Sequence, residues 1–157
     1  MADIMRDAKK RIEDIRRRTV KIVVRRDGSP VPDAQVELRM NRHQFLFGCD
    51  CYCANTYDTP EKEKRHKELF SGLFNYATLP FYWGQYEPVR GEKSEKRLSN
   101  MVEWCKSIDL STKGHPLVWH EILPDWLNSD YDIEKLIQER IEDLIERFGD
   151  QIDYWDL

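Results

Sequence analysis

The chain has 157 residues, enough to bury one hydrophobic core, because a domain usually takes about 100 to 200 residues. Its net charge of −4 at pH 7 provides no basic excess to hold a phosphate backbone, and no stretch approaches the roughly 18 apolar residues that cross a membrane. We therefore expect neither nucleic acid nor membrane as a partner; no signal peptide is visible, and the location is left open.

The first 42 residues predict a helix followed by a β-hairpin. Residues 2–17 place apolar side chains at helical spacing, with arginine and lysine on the other face. Alternating apolar residues over 19–24 and 36–40 predict two strands, joined by a long connection that contains a turn at 27–30. We expect this segment to be an extension of the domain that follows.

From residue 43 to 157, strand-like and helix-like patterns alternate. Each strand-like run is apolar enough to be covered on both faces, and four such runs are separated by three helical segments. This pattern predicts a parallel α/β sheet. The predicted strands are residues 45–49, 74–81, a run ending at 117–120, and 152–157.

Capping residues and apolar spacing define the three helices. Thr59 caps the first and Ser94 the second, while Ser129 and Asp132 fit a capping box for the third, with Gly149 as its C-cap. The side chains expected to face inward are Leu69, Phe70 and Leu73 in the first helix, Leu98, Met101, Val102 and Cys105 in the second, and Ile133, Leu136, Ile137, Ile141, Leu144, Ile145 and Phe148 in the third. The charged residues of the third helix, expected to be solvated surface, are Glu139, Arg140, Glu142 and Asp143.

Three cysteines alternate along the first predicted strand and its continuation. Alternation sends Cys51 to the side opposite Cys49 and Cys53, while Cys105 stands on a helix. This placement argues against one metal cluster, so we expect no metal site. A metal or redox protein built on these cysteines remains an alternative, which predicts stoichiometric zinc.

The strongest functional signal is the run Lys113–His120 followed by Trp126. Its histidines and tryptophans surround a short apolar core, as at the end of a buried strand that delivers rings to a pocket. Aromatic faces suit the C–H surface of a pyranose, and ring nitrogens suit its hydroxyls. His115 and His120 are spaced so that they face opposite ways on a strand, which favours sugar contacts over a shared metal.

These residues resemble a known motif. The sequence HPLVWH at 115–120, with Leu123-Pro124-x-Trp126, resembles the third strand of family 10 glycoside hydrolases, the xylanase family. The similarity extends from about residue 19 to the end, and the hairpin is similar to the lead-in of some plant and bacterial members. The other similar segments are 42–48, 74–75 with Glu87, Pro88 and Gly91, and 152–157.

This resemblance implies a (β/α)8 TIM barrel that hydrolyses β-1,4-linked xylan-like plant polysaccharide without a cofactor, through two glutamates about 5 to 5.5 Å apart. A barrel needs roughly 250 residues, so we expect the first half of one, truncated, over 43–157. In the family, the acid/base glutamate follows the fourth-strand Trp-Asp within a few residues as Asn-Glu, and the nucleophile lies on the seventh strand. Both fall beyond Leu157, so no catalytic residue is expected in this chain.

The resemblance also assigns sugar-binding residues. His115 would hydrogen-bond the sugar next to the scissile bond, Trp119 would line that subsite, and His120 would support its wall. The second strand departs from the family, because residues 78–84 lack the asparagine and lysine that hold the sugar. The resemblance leaves Tyr82 or Gln85 to replace those contacts, so the expected partner is a polysaccharide or oligosaccharide.

Two further readings remain open. Glu87, Glu92 and Glu121 are carboxylates that could pair in catalysis, although Glu87 lies in a predicted loop, Glu92 lies among charged residues, and Glu121 has no partner visible in the sequence. The chain could instead be a noncatalytic carbohydrate-binding or assembly module whose half-barrel pairs with another chain. In either case, unpaired apolar edge strands lead us to expect that the isolated chain self-associates.

Overall fold

The computed structural model describes residues 2–157, with one unit ending at Arg39 and another beginning at Met40. The first unit contains helix α1 (Ala2–Arg16) and an antiparallel hairpin of β1 (Arg25–Arg26) and β2 (Ser29–Pro30). The two residues of the turn have positive φ, 48° and 80°, which gives the type I′ geometry that joins tightly paired strands. The predicted helix and turn are therefore confirmed.

The long strands predicted in this unit are wrong. Pairing is confined to the residues beside the turn, and residues 19–24 and 36–40 form no strand in the described part of the chain. A two-stranded ribbon is marginal in water without a third strand or a helix to cover its apolar face. Val20 and Leu38 accordingly stay exposed, so the alternation that suggested strands has no surface to pack on.

The second unit is a four-stranded parallel sheet whose strands are separated along the chain by helices. Its strands are β3 (Gly48–Asp50), β4 (Tyr76–Pro80), β5 (Ser111–His115) and β6 (Tyr154–Trp155), and its helices are α2 (Pro60–Leu73), α3 (Trp83–Tyr86), α4 (Glu95–Ser107) and α5 (Ile133–Phe148). The strand order is β3-β4-β5-β6, so neighbours along the chain are neighbours in the sheet. The predicted parallel α/β sheet is confirmed, and its carboxyl ends share one edge.

The first strand of this sheet lies later than predicted. Residues 45–49 are apolar, but the ladder begins at Gly48, and Phe45 and Phe47 are exposed. The Asn75 side chain accepts a hydrogen bond from the Phe47 N–H at 2.7 Å and donates one to the Phe45 carbonyl at 2.9 Å. Asn75 thus satisfies this backbone with its side chain, and its own N–H donates to the Phe47 carbonyl at 3.0 Å.

The third strand ends earlier than predicted. The sequence suggested a strand reaching 117–120, but β5 ends at His115, because Pro116 has no N–H to continue the ladder. Trp119 and His120 therefore lie in the loop that follows β5.

Helix α2 follows its predicted start but not its predicted packing. Thr59 caps it by accepting a hydrogen bond from the Lys62 N–H at 3.3 Å. Phe70 is buried as expected, whereas Leu69 and Leu73 are 47% and 71% exposed, which contradicts the inward orientation. Both leucines line a groove beside β3, the edge strand, where no further element of residues 2–157 covers them.

Helix α4 packs as predicted and completes the core on one face of the sheet. All four of its predicted inward side chains are buried, and they join the buried side chains of β4 in one cluster. None of the helices within residues 2–157 is both long and apolar enough to cross a bilayer. The fully buried side chains of largest volume are Phe81, Phe148, Leu79, Met101, Leu144 and Val102.

Helix α5 begins at a side-chain cap and ends at a backbone cap. The capping box predicted at Ser129 is wrong, because Asp132 is itself the N-cap and accepts a hydrogen bond from the Lys135 N–H at 3.1 Å. Gly149 is the C-cap, as predicted, and its N–H donates to the Ile145 carbonyl at 2.8 Å. Of the predicted stripe, Leu144 and Phe148 are buried, Leu136, Ile137 and Ile141 are half-buried, and Ile133 and Ile145 are exposed.

One charged residue of α5 contradicts the prediction of a solvated face. Arg140 is only 6% exposed, and its Nε donates a hydrogen bond to the Leu117 carbonyl at 2.9 Å. Its Nη2 donates to the Phe81 carbonyl, and its guanidinium lies 5.5 Å from the Trp83 ring centroid and 5.7 Å from that of Tyr86. The arginine is thus buried between α5 and the segments that follow β4 and β5.

Candidate functional site

Each strand of the sheet contributes one polar or aromatic side chain at its carboxyl end. Tyr52 follows β3, Tyr82 follows β4, His115 is the last residue of β5, and Asp156 follows β6. Trp119 joins them from the loop after β5. These five residues, called the strand-end cluster below, lie where parallel α/β folds place their binding sites.

A charged network orients His115 within this cluster. Its Nδ1 lies 2.8 Å from Asp156 Oδ2, and Lys113 Nζ lies 2.8 Å from the same oxygen. The hydrogen bond from Lys113 lowers the pKa of Asp156 and raises that of Lys113, so both are charged at neutral pH. An ionised carboxylate can only accept, so Nδ1 carries the proton and Nε2 is left available to a ligand.

Tyr82 lies at the centre of the aromatic part of the cluster. Its ring centroid is 5.5 Å from His115 and 5.7 Å from Tyr52, both edge to face, and 5.6 Å from Trp119 at an angle of 46°. The hydroxyls of Tyr52 and Tyr82 are 3.2 Å apart. Burial, and then this hydrogen bond, raises the pKa of Tyr52, so its hydroxyl stays protonated at neutral pH.

The backbone between the strands fixes these positions. The Phe81 N–H donates to the His115 carbonyl at 2.7 Å, and the Leu117 N–H donates to the Asp156 carbonyl at 2.8 Å. Gly114 allows the β6 strand to approach, because a Cβ at this position would overlap the Trp155 ring. The ends of β4, β5 and β6 are thereby held against one another.

The predicted site residues do not all meet. Tyr82, His115 and Trp119 come together in the cluster, and Trp119 is 37% exposed, so part of its ring is open to a ligand. His120 lies outside, with its side chain 86% exposed and its ring 6.4 Å from that of Trp119. Gln85 is exposed on α3.

The carboxylates considered for catalysis lie away from the cluster. Glu87 accepts hydrogen bonds from Trp83 Nε1 at 3.1 Å and from the Gly91 N–H at 2.7 Å. Its two oxygens therefore stabilise the loop after α3. Glu92 and Glu121 are exposed. Among the described residues, the carboxylate that bonds within the cluster is Asp156, and it is already paired.

Sequence reasoning missed three members of this arrangement. Tyr52 lies outside the individual segments that resemble the family, whereas Lys113 opens the run 113–120 and Asp156 lies in the segment 152–157, but none of the three was assigned a role. The signal that could have found Tyr52 and Asp156 is position, since residues just after parallel strands reach the same edge of the sheet, while Lys113 lies within β5, two residues before His115.

The cysteines show no sign of a shared site. Cys49 and Cys53 are exposed and Cys51 is buried, as alternation predicts, and all four cysteines are free thiols. Burial raises the pKa of Cys51 to about 12, and that of Cys105 likewise, which makes both thiols poor nucleophiles. Across residues 2–157, no three His, Cys, Asp or Glu side chains are grouped closely enough to hold a metal ion.

Comparison with known proteins gives related sequences. The model of glycosyl hydrolase family 10 matches residues 41–157. The anti-sigma-I factor RsgI6 of Acetivibrio thermocellus is 26% identical over 157 residues, covering 96% of this chain and 20% of that protein. Endo-1,4-beta-xylanase 2 of Arabidopsis thaliana is 24% identical over 139 residues, covering 83% of this chain and 12% of that protein. The chain thus spans a fifth or less of these relatives.

Solved structures match the fold. Xylanase 10B from Thermotoga petrophila, solved in complex with xylobiose, superposes with a TM-score of 0.58 at 21% identity, covering 71% of this chain and 35% of that one. A family 10 endoxylanase from a sugarcane soil metagenome gives 0.61 at 24% identity, with the same coverage. The chain therefore has the fold of part of a (β/α)8 barrel, as predicted. Because the family model covers most of its length, the protein belongs to glycosyl hydrolase family 10.

Proposed function

We propose that this chain forms the sugar-binding part of a glycoside hydrolase that acts on a β-1,4-linked, xylan-like plant polysaccharide. The observation that carries the proposal is the meeting of Tyr82, His115 and Trp119 at the carboxyl edge of the sheet. These side chains come from two different strand ends and combine ring faces with a free imidazole nitrogen. Such a mixture suits a pyranose, which has apolar C–H faces and hydroxyls around its rim.

The proposed roles follow from the geometry. His115 Nε2 accepts a hydrogen bond from a sugar hydroxyl, because Asp156 occupies the opposite nitrogen. Trp119 and Tyr82 contact the C–H surface of the ring. His120 is exposed and contacts the edge of the cluster at the Trp119 ring, so we assign it no hydrogen bond to this sugar.

A pair of tyrosines replaces polar contacts that the family makes from its second strand. The asparagine and lysine of other members are absent between residues 78 and 84. Tyr82 follows the second strand of the sheet and Tyr52 the first, and their paired hydroxyls can both donate and accept. We infer that this pair binds the sugar in place of those residues.

Cleavage of the glycosidic bond requires carboxylates that we place outside residues 1–157. A retaining hydrolase uses two carboxyl groups about 5 to 5.5 Å apart. Asp156 is paired with Lys113 and His115, and the chain covers only 35% of the matched xylanase structures. The two catalytic glutamates would therefore come from the remaining part of the barrel.

Two measurements test the proposal. Titration calorimetry of the 157-residue chain with xylohexaose is expected to show binding without release of reducing sugar. A protein in which the barrel continues beyond Leu157 is expected to release reducing sugar from xylan. The hydrolase proposal fails if such a protein releases none from xylan, arabinoxylan or mixed-linkage glucan.

A second candidate is a noncatalytic carbohydrate-binding module. The observation behind it is that a relative matched over 96% of this chain, including residues before 41 that the family model does not match, is named as an anti-sigma-I factor and not as a hydrolase. In this case the parent protein would bind the same oligosaccharides without hydrolysing them. Binding and hydrolysis assays on one preparation of the parent protein, in which the barrel continues beyond Leu157, distinguish the two functions.

A further inference from the structure

We propose that Arg140 is a positioning residue that holds the sugar-contacting segments after β4 and β5 in register with each other. This inference adds a residue to the proposed sugar-binding site. Its expected effect on sugar binding rests on the proposed function. Arg140 belongs to α5, which follows the site in the chain and contributes no side chain to the strand-end cluster.

The arginine joins two segments through their backbones. Its Nη2 donates to the carbonyl of Phe81, the residue before Tyr82, and its Nε donates to the carbonyl of Leu117, two residues before Trp119. The planar guanidinium fixes the spacing of these two nitrogens, so it also fixes the spacing of the two carbonyls. The positions of the Tyr82 and Trp119 rings depend on that spacing.

The same side chain also fixes the helix that follows Tyr82. The guanidinium lies near the rings of Trp83 and Tyr86, at 5.5 and 5.7 Å from their centroids, so α3 packs on it. Burial lowers the pKa of Arg140 to about 10, which still leaves it charged at pH 7. A charge-assisted hydrogen bond at each carbonyl is therefore retained under ordinary conditions.

A purely structural arginine would stabilise the fold without setting the geometry of Trp119, so the test needs a readout at Trp119. The chain has five tryptophans, and incorporation of 5-fluorotryptophan gives one ¹⁹F resonance for each. Loss of one resonance in Trp119→Phe assigns Trp119. Arg147→Met is the matched control, because Arg147 lies on the same helix and pairs with Asp143 and Glu95 instead.

Arg140→Met is expected to shift or broaden the Trp119 resonance without sugar, and to weaken xylohexaose binding about tenfold or more. Arg147→Met should leave both unchanged. If Arg140→Met does not fold, as judged by far-ultraviolet circular dichroism, Arg140→Gln makes the same comparison while keeping one donor.

The inference is overturned if a folded Arg140 variant retains both the wild-type Trp119 resonance and the wild-type affinity. If the wild-type chain binds no oligosaccharide, the proposed function fails separately. The Trp119 resonance then decides alone whether Arg140 positions the loop.

Discussion

Asp156 determines which nitrogen of His115 faces a ligand, because its carboxylate holds Nδ1 and leaves Nε2 available. Lys113 in turn holds the Asp156 carboxylate, so a residue outside the strand-end cluster helps to orient the His115 ring. The network also joins β5 to the residue that follows β6, so it contributes to stability as well as to binding. The two contributions can be measured separately.

The first prediction concerns the side chains that contact sugar. His115→Ala removes a hydrogen-bond acceptor and Trp119→Ala removes a ring face, so each should weaken xylohexaose binding about tenfold in titration calorimetry. His120→Ala is the control, because its side chain is almost fully exposed and lies outside the cluster. Equal losses in all three variants would contradict the site described here.

The second prediction concerns pH. The pKa of Asp156 is lower in the folded chain, so its stabilisation is present above the unfolded value of about 3.9 and is lost as pH falls through the folded value. Urea unfolding should show Asp156→Asn less stable than wild type at pH 7, by up to about 1 kcal/mol because the pair is partly exposed.

That difference should begin to shrink below about pH 4 and disappear once pH has fallen through the lowered pKa of folded Asp156, where the wild-type carboxyl is also uncharged. Asp130→Asn, at an exposed loop position, controls for loss of one negative charge. A difference that does not change between pH 7 and pH 2.5 would exclude the ionised pair as its cause.

Individual residues differ in how far the sequence predicts their positions. His115 and Trp119 were predictable because they belong to one contiguous motif. Arg140 was wrongly predicted to be solvated, because its two carbonyl partners are 23 and 59 residues away along the chain. The signal that could have found it is its place on the apolar stripe, since Leu136, Ile137 and Leu144 lie three or four residues from it on the same helix.

At the scale of elements, the three long helices of the second unit were predicted where they occur, but their buried faces were predicted fully only for α4 and in part for α2 and α5. Helix α4 buries all four predicted side chains, whereas α3, with four residues, is too short to show a period. The strand boundaries moved because Pro116 ends β5 and Asn75 replaces the ladder before β3. Both causes are matters of backbone hydrogen bonding, which a pattern of hydrophobicity does not reveal.

The third prediction tests the contact between β5 and β6. Gly114→Ala should lower the free energy of unfolding by about 1 to 3 kcal/mol in urea, because the added methyl overlaps the Trp155 ring and forces the strands apart. Gly72→Ala is the matched control within α2, where the new methyl meets nothing within 4 Å. That change should raise stability by about 0.5 to 1 kcal/mol, since alanine favours a helix. A neutral Gly114→Ala would show that the strands tolerate a wider spacing.

At the scale of the whole chain, the sheet has two open sides. β3 pairs only with β4 and β6 only with β5 within residues 2–157, so each leaves one row of backbone groups unpaired. A groove of about 600 Å³ beside β3 is lined mainly by apolar atoms, including those of Leu69 and Leu73. In a closed barrel such surfaces are covered by neighbouring strands and helices.

The fourth prediction is that the 157-residue chain self-associates in solution, because exposed apolar edges favour pairing with another copy. Sedimentation velocity should show species larger than 18.9 kDa whose fraction rises with concentration. Leu73→Lys places a charge in the groove beside β3 and should reduce association, whereas Leu38→Lys, an equally exposed change in the first unit, should have little effect. A monodisperse monomer at all concentrations would mean that these edges are protected, and it would contradict the half-barrel as the state of this polypeptide.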